Sequence, residues 1–273
     1  MPTIRMHVDG GAGDYHSGLA RIPTIKAKYP EMDIYIYGQV FHKSHAIVEW
    51  MLKQYENQLS GYELRVFGKM YPKKNFDVSP VPDARDWVMF DWCDHPPETR
   101  QHFEISYPFI TRTGINFSSV ANNCGLHMMT TQGDMDFEHI GGMNMKRYWP
   151  KNKWLSLIQQ LDMKYGFSEY QTFGAKNEDY GISQSESKVE SVLGEDLDAV
   201  VAKILKTKLF IGTNSWLWQV AAYAGIPTVV LYFTNPQWIP IHYNDKMKNV
   251  RILTDRDIEP EQVMEAIGEI YKK

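Results

Sequence analysis

The stretch that decides the fold is residues 208–232, KLFIGTNSWLWQVAAYAGIPTVVLY. Its first apolar run passes through the polar triplet Thr213-Asn214-Ser215 into a helical segment, and a second β-branched run follows. This order predicts a strand, a tight turn, a helix and a second strand. Asn214 and Ser215 are good N-cap residues, and a helix N-terminus at the carboxyl edge of a sheet attracts anions. A diphosphate is the expected ligand, although many such units bind none.

The composition is that of a folded globular protein. With 273 residues, the chain is long enough for two domains of roughly 130 residues, each with its own core. Hydrophobic residues make up 43% and charged residues 23%, which argues against disorder. A net charge of −4 gives no general attraction to nucleic acid.

The cellular setting is also constrained. Only two cysteines occur, which excludes a disulfide framework and fits a reducing compartment. The N-terminus, MPTIRMHVDGG, lacks the features of a signal peptide, and no run of 18 apolar residues exists. We therefore expect a cytoplasmic protein without a membrane span.

Strands and helices alternate in both halves, which predicts an α/β fold with parallel sheets. The N-terminal half is predicted to contain strands at 4–8, 33–37 and 62–67, with helices at 14–29 and 44–59. The C-terminal half is predicted to contain strands at 126–131 and 170–173, helices at 150–165 and 197–205, and the unit at 208–232. The expected division is an N-terminal domain at 1–122, a C-terminal domain at 123–258, and a helix at 259–273 that packs back on the first domain.

The first candidate site is the glycine turn after the first strand. Gly11 and Gly13 would let a ligand approach the backbone closely. A dinucleotide fingerprint would require glycine at the position of His16, so an NAD site is not favoured. Asp14 stands where the turn enters a helix, where a carboxylate is either a cap or a general base.

Further candidates lie in the second half. Thr130 and Thr131 end a predicted strand, Lys146 and Arg147 precede the next helix, and together they could bind phosphate oxygens or form an ordinary basic turn. Glu178 follows a strand, where a carboxylate commonly takes ribose hydroxyls, although a surface position is equally compatible.

A metal site is not favoured. Cys93 and His95 lie close to two aspartates, but no second ligand pair has zinc spacing. The motifs of P-loop nucleotidases, zinc proteases and serine hydrolases are absent from the sequence.

In this order, these segments resemble the heptosyltransferase family, the ADP-heptose-using glycosyltransferases of the GT-B fold. The Gly13-Asp14 segment resembles the turn that carries the family's catalytic Asp. LHMMTTQ followed by KRYWP resembles its paired Thr and its Lys-x-Trp-Pro helix start, with Arg147 at the Lys position and Lys146 beside it. Glu178 resembles the ribose-binding Glu, and residues 212–220 resemble the glycine-rich donor loop.

The donor loop departs from the family pattern at two positions. Where the family usually reads Asp-Ser/Thr-Gly-x-x-His, this chain has Trp216 for the glycine and Gln219 for the histidine. The tryptophan changes the shape of the sugar pocket, and Gln219 cannot carry charge. Binding of the diphosphate depends less on these side chains because it uses main-chain N–H groups.

The resemblance implies two Rossmann-like domains that face each other across a cleft. It implies metal-independent, inverting transfer from a nucleotide-diphosphate sugar, with an ADP-sugar favoured, to a hydroxyl of a glycan, a lipid-linked saccharide or a modified nucleic acid. Asp14 would be the base, and no separate cofactor is expected. The donor residues would be Gly13, Thr130, Thr131, Lys146, Arg147, Glu178, Thr213, Asn214, Ser215, Trp216 and Gln219.

Three alternatives remain open from the sequence. The protein could be a glycosyltransferase that acts on modified nucleic acid bases. It could be a non-catalytic protein that binds a nucleotide or nucleotide sugar, which the altered donor loop permits. It could also be a nucleotide-sugar epimerase on the same fold.

Overall fold

A computed structural model describes residues 3–8, 10–67, 85–88, 122–130, 149–182, 188–233, 246–255 and 257–272. The chain divides into two compact units, Met1–Arg112 with Pro240–Asn244 and Thr113–Ile239 with Asp245–Lys273. Each unit is built on a parallel sheet with helices, so the predicted α/β class is confirmed.

The first unit has a four-stranded sheet in the order β3-β2-β1-β4, with all described pairs parallel. Its elements are β1 (Thr3–His7), α1 (Ala12–Leu19), α2 (Ile22–Lys28), β2 (Asp33–Phe41), α3 (His45–Lys53), β3 (Gly61–Phe67) and β4 (Arg85–Val88). The helix predicted at 14–29 is two helices. Pro23 lies in the first turn of α2, where its missing N–H costs nothing, whereas inside a continuous helix it would remove a hydrogen bond.

The second unit has a six-stranded sheet in the order β10-β9-β8-β5-β6-β7, again with parallel pairs. Its first elements are β5 (Asn123–His127), α4 (Lys151–Tyr165), β6 (Glu169–Thr172), β7 (Val189–Ser191) and α5 (Leu197–Ile204). They are followed by β8 (Leu209–Thr213), α6 (Trp216–Tyr223), β9 (Thr228–Leu231), β10 (Val250–Leu253) and α7 (Pro260–Ile270).

The core of the second unit lies between its central strands and the helices α4 and α7. Every residue of β5, β8 and β9 is buried, as expected for central strands covered on both faces. Trp154 and Leu161 of α4 are fully buried in this core. The Trp149 indole donates a 2.8 Å hydrogen bond to the carbonyl of Ile258, which ties the start of α4 to the segment before α7.

The C-terminal helix α7 belongs to this same core. Val263 and Ile267 are fully buried among residues of the second unit, and the helix contacts α4, β9 and β10. The sequence prediction placed this helix on the first domain. The apolar face of its described part is instead buried in the core of the second unit.

Candidate functional site

Four polar residues of the second unit lie at or beyond the carboxyl ends of three neighbouring strands. His127 is the last residue of β5, and Thr213 is the last residue of the adjacent β8. Ser215 is the N-cap of α6, and Glu178 lies in the segment after β6. In parallel sheets with helical crossovers, this edge is where ligands bind.

The start of α6 has the geometry expected of a capped helix. Ser215 has extended backbone angles, and its hydroxyl accepts a 3.3 Å hydrogen bond from the Leu217 N–H. Thr213 and Asn214 are buried just before it. The predicted strand, turn, helix and strand of residues 208–232 are therefore confirmed, and the N-terminus of α6 stands at the carboxyl edge of the sheet.

Glu178 is a buried carboxylate held by its own loop. Its Oε2 accepts a 2.8 Å hydrogen bond from the Ala175 N–H, and its side chain is only 8% exposed. Gly174 has a φ of 147°, and a Cβ at that position would lie 2.5 Å from Glu178 Oε2. A glycine is therefore required where the carboxylate folds back. The exposed-surface alternative for Glu178 is wrong.

His127 joins these groups, and sequence reasoning missed it. Its Nε2 lies 3.5 Å from Glu178 Oε2. Its Nδ1 lies 3.1 Å from Ser215 Oγ and 3.3 Å from Thr213 Oγ1. The available signal was a polar residue at the end of a run that otherwise reads as a fully buried central strand.

A cavity of about 250 Å³ opens beside Glu178 at the same edge of the sheet. Its walls combine apolar and aromatic surface with a few polar groups, as ligand pockets usually do. The lining residues are Met128, Thr172, Phe173, Glu178, Asp179, Tyr180, Ile182, Val189 and Ser191. The Tyr180 hydroxyl is fixed by donating to the Trp149 carbonyl.

The two departures from the family loop lie on the first turns of α6. Trp216 is half-buried and begins the helix. Gln219 is 2% exposed, and its carboxamide oxygen has no hydrogen-bond partner within the described residues. A buried acceptor without a partner is costly, so this oxygen is suited to a donor group supplied by a ligand.

In the first unit, Asp14 caps the helix in which it lies. Its Oδ2 accepts a 2.7 Å hydrogen bond from the Gly11 N–H at the N-cap of α1, and the side chain is half-buried. Gly10, with a φ of 128°, leaves room for this carboxylate, because a Cβ there would lie 2.2 Å from Oδ2. Gly13 is half-buried in the first turn of the same helix. The capping role inferred from spacing is therefore observed.

Some predicted site residues lie outside the described residues, namely Thr131, Lys146 and Arg147, as do Cys93 and His95. Thr130 is described and half-buried, three residues beyond the end of β5. Within the described ranges, no three His, Cys, Asp or Glu side chains are grouped so as to hold a metal ion. The helices described here are all too short or too polar to cross a membrane.

Comparison with known proteins gives a fold but no sequence family. No family model matches the chain, and no curated protein matches it. The structure of E. coli ADP-heptose LPS heptosyltransferase II is similar with a TM-score of 0.62 at 15% identity, over 98% of each chain. E. coli heptosyltransferase WaaC with ADP has a TM-score of 0.64 at 12% identity, over 98% of this chain and 100% of that chain.

A glycosyl transferase family 9 structure from Veillonella parvula is also similar, with a TM-score of 0.54 at 11% identity, over 98% of this chain and 97% of that chain. These likenesses extend over nearly the whole of the chain, including the N-terminal half, where the sequence resemblance was confined to a short segment. The chain therefore has a heptosyltransferase-like α/β fold of the GT-B type.

Proposed function

We propose that this protein is a glycosyltransferase that moves a sugar from a nucleotide-diphosphate sugar to an acceptor hydroxyl. The observation that carries the proposal is the cluster at the carboxyl edge of the second sheet. There, the capped start of α6, the buried carboxylate of Glu178 and a cavity of about 250 Å³ lie together. The heptosyltransferase-like fold supports the same reading, and one similar structure contains ADP.

Each part of a nucleotide sugar has a complementary group in this cluster. The positive end of the helix dipole at the start of α6 suits the diphosphate, aided by the Thr213 hydroxyl. Glu178 suits the ribose hydroxyls, and the partly aromatic cavity beside it suits the base. Gln219, on the same helix, is the residue proposed for the sugar. Thr130, Thr131, Lys146 and Arg147 complete the proposed phosphate contacts.

The proposed reaction proceeds with inversion at the anomeric carbon. Asp14 takes the proton of the acceptor hydroxyl, whose oxygen attacks the anomeric carbon while the bond to the diphosphate breaks. The departing diphosphate is stabilised by the α6 N–H groups and by the cations, which provide the charge neutralisation that Mg²⁺ supplies in other enzymes. No step requires a metal or a separate cofactor.

The first experiment is a thermal-stability screen with ADP, UDP, GDP, CDP and dTDP, with and without Mg²⁺. A ligand present at 100 times its Kd adds about 2.7 kcal/mol to the free energy of unfolding. We expect ADP to raise Tm most, and to do so without Mg²⁺. Selective stabilisation by another nucleoside diphosphate would still support a glycosyltransferase, but with a different nucleotide in its donor. No response to any of the five would overturn the proposal.

The second experiment is the substitution Asp14→Asn, which the structure makes unusually informative. An Asn amide oxygen can still accept the hydrogen bond from the Gly11 N–H, so the start of α1 is preserved while the base is lost. We expect transfer to fall by about 10²-fold or more, with Tm and ADP affinity unchanged. Parallel losses of Tm and transfer would instead assign Asp14 to the fold alone.

A further inference from the structure

His127 is the residue at which three separate segments of the second unit meet. Its ring is 2% exposed, and it ends β5, a central strand of the sheet. Its two ring nitrogens face different partners. Nε2 lies 3.5 Å from the Glu178 carboxylate, whereas Nδ1 lies 3.1 Å from the Ser215 hydroxyl and 3.3 Å from that of Thr213.

The partners determine which nitrogen carries the proton. The ionised carboxylate of Glu178 can only accept a hydrogen bond, so the nitrogen facing it must donate. Ser215 Oγ accepts from the Leu217 N–H and can donate its own proton to Nδ1. Of the two neutral forms of the ring, the one protonated at Nε2 satisfies both sides, whereas the other would set a lone pair against the carboxylate.

We propose that His127 is a positioning residue for the nucleotide donor. With a proton on Nε2, it holds the Glu178 carboxylate and the capped start of α6 in one fixed relative arrangement. The ribose and the diphosphate of one ligand therefore meet groups that are already spaced for them. This inference rests on the proposed function for the identity of the ligand, a nucleoside diphosphate.

The neighbouring contacts make this role distinct from that of a simple core residue. Without the ring, Glu178 keeps its hydrogen bond from the Ala175 N–H, and Ser215 keeps the one from the Leu217 N–H. Each group stays in its own segment, but the link between the two segments is lost. Loss of the ring should therefore weaken the binding of a ligand that spans both segments, in addition to any decrease in the free energy of unfolding.

The first test is calorimetric titration of ADP, adenosine and inorganic diphosphate into His127 variants. We expect His127→Leu to weaken ADP binding roughly tenfold, the change that accompanies loss of about one hydrogen bond's net contribution. Adenosine and inorganic diphosphate each meet only one of the two segments, so His127→Leu should leave their Kd values within about twofold of wild type. His127→Gln retains a donor near the Nε2 position and should recover part of the ADP affinity.

The matched control is Tyr170→Phe. It removes a buried hydroxyl that bonds Asp162 and the Ile158 carbonyl in the same unit, away from the ligand-binding edge. We expect it to lower Tm while leaving the Kd for ADP within twofold of wild type. If His127→Leu also left the Kd for ADP unchanged, or weakened the binding of adenosine and diphosphate as much as that of ADP, the positioning role would be excluded.

A double-mutant cycle tests the link itself. Glu178→Gln and His127→Leu should each weaken ADP binding, and the double variant should lose less than the product of the two losses, because the residues act through one contact. Strictly multiplicative losses would show that the ring and the carboxylate act independently, contrary to the proposal.

The tautomer can be measured without any ligand. In ¹⁵N NMR spectra, the signals missing from His127→Gln identify the His127 ring, and their shifts should show a protonated Nε2 and an unprotonated Nδ1. A ring protonated at Nδ1 would overturn this inference even if ADP binds. Conversely, if the wild-type protein binds no nucleoside diphosphate, the proposed function is refuted, and with it the role of His127 in donor binding. The NMR measurement would still test the hydrogen bonds of His127 by itself.

Discussion

At the scale of single residues, two carboxylates on neighbouring strands share one environment at the edge of the second sheet. The hydrogen bond with Glu190 is the main cause that raises the pKa of Glu169, and burial and the charge of Glu190 add to it. The same hydrogen bond, followed by that from Gln171, lowers the pKa of Glu190. The pair is most stable when the two carboxylates share one proton.

This pair predicts that Glu169→Gln stabilises the protein at neutral pH. A raised folded-state pKa means that Glu169 contributes stability below its unfolded pKa, about 4.3, and loses it as pH rises through the folded value. An amide keeps a donor for Glu190 at every pH. We expect a higher Tm than wild type at pH 7 and a smaller difference at pH 4.

Thermal unfolding at the two pH values measures this effect, with Glu265→Gln, an exposed glutamate on α7, as the control. A decrease in Tm at pH 7 for the Glu169 variant would mean that the two carboxylates do not compete for a proton. The control variant should show no difference between the two pH values beyond that of wild type.

The site residues differ in how far the sequence could identify them. Ser215 and Thr213 follow directly from the strand and helix pattern, since a cap must stand where a buried strand becomes a helix. Glu178 required the family resemblance, because a single glutamate after a strand has no local signature. His127 could not be assigned because its partners are 51 and 88 residues away.

At the scale of elements, strong periodic patterns predicted most helices and central strands to within a few residues, but the helix predicted at 44–59 ends at Lys53 and the one predicted at 14–29 is two helices. The short outer strands β7 and β10 were missed, since three or four residues give too little alternation to recognise. Pro150 was expected inside the helix but stands at its N-cap, with extended backbone angles. Tertiary pairing, rather than local sequence, determines these positions.

The helix α7 supports a prediction about the core of the second unit. Ile267 is fully buried there, so Ile267→Ala should lower the free energy of unfolding by about 2–5 kcal/mol, through lost burial and the cavity left behind. The exposed neighbour Glu265→Ala should change it by no more than about 0.5 kcal/mol. Chemical denaturation followed by tryptophan fluorescence measures both, and similar effects would mean that α7 is not part of the core.

At the scale of the whole molecule, the net charge argues against nucleic acid as the acceptor of the sugar. A net charge of −4 and a pI near 6.1 provide no broad basic surface for a phosphate backbone. We predict that duplex DNA is not retarded by the protein in a gel-shift assay at low salt, where backbone binding would be strongest. Retardation that weakens steeply as salt is added would favour the alternative acceptor.

The position of β5 within its sheet has a kinetic consequence. β5 pairs with β6, but its other neighbour is β8, whose residues follow it by 85 positions in the chain, as in the pairing of Cys124 with Leu209. Bringing such distant segments together lowers the entropy of the intervening chain before any stabilising contact has formed. This favours late pairing of β5 with β8 during folding. His127 and Ser215 lie on the two sides of this late junction. A bound nucleotide would therefore do little to hasten folding, and would act chiefly by lengthening the lifetime of the folded state.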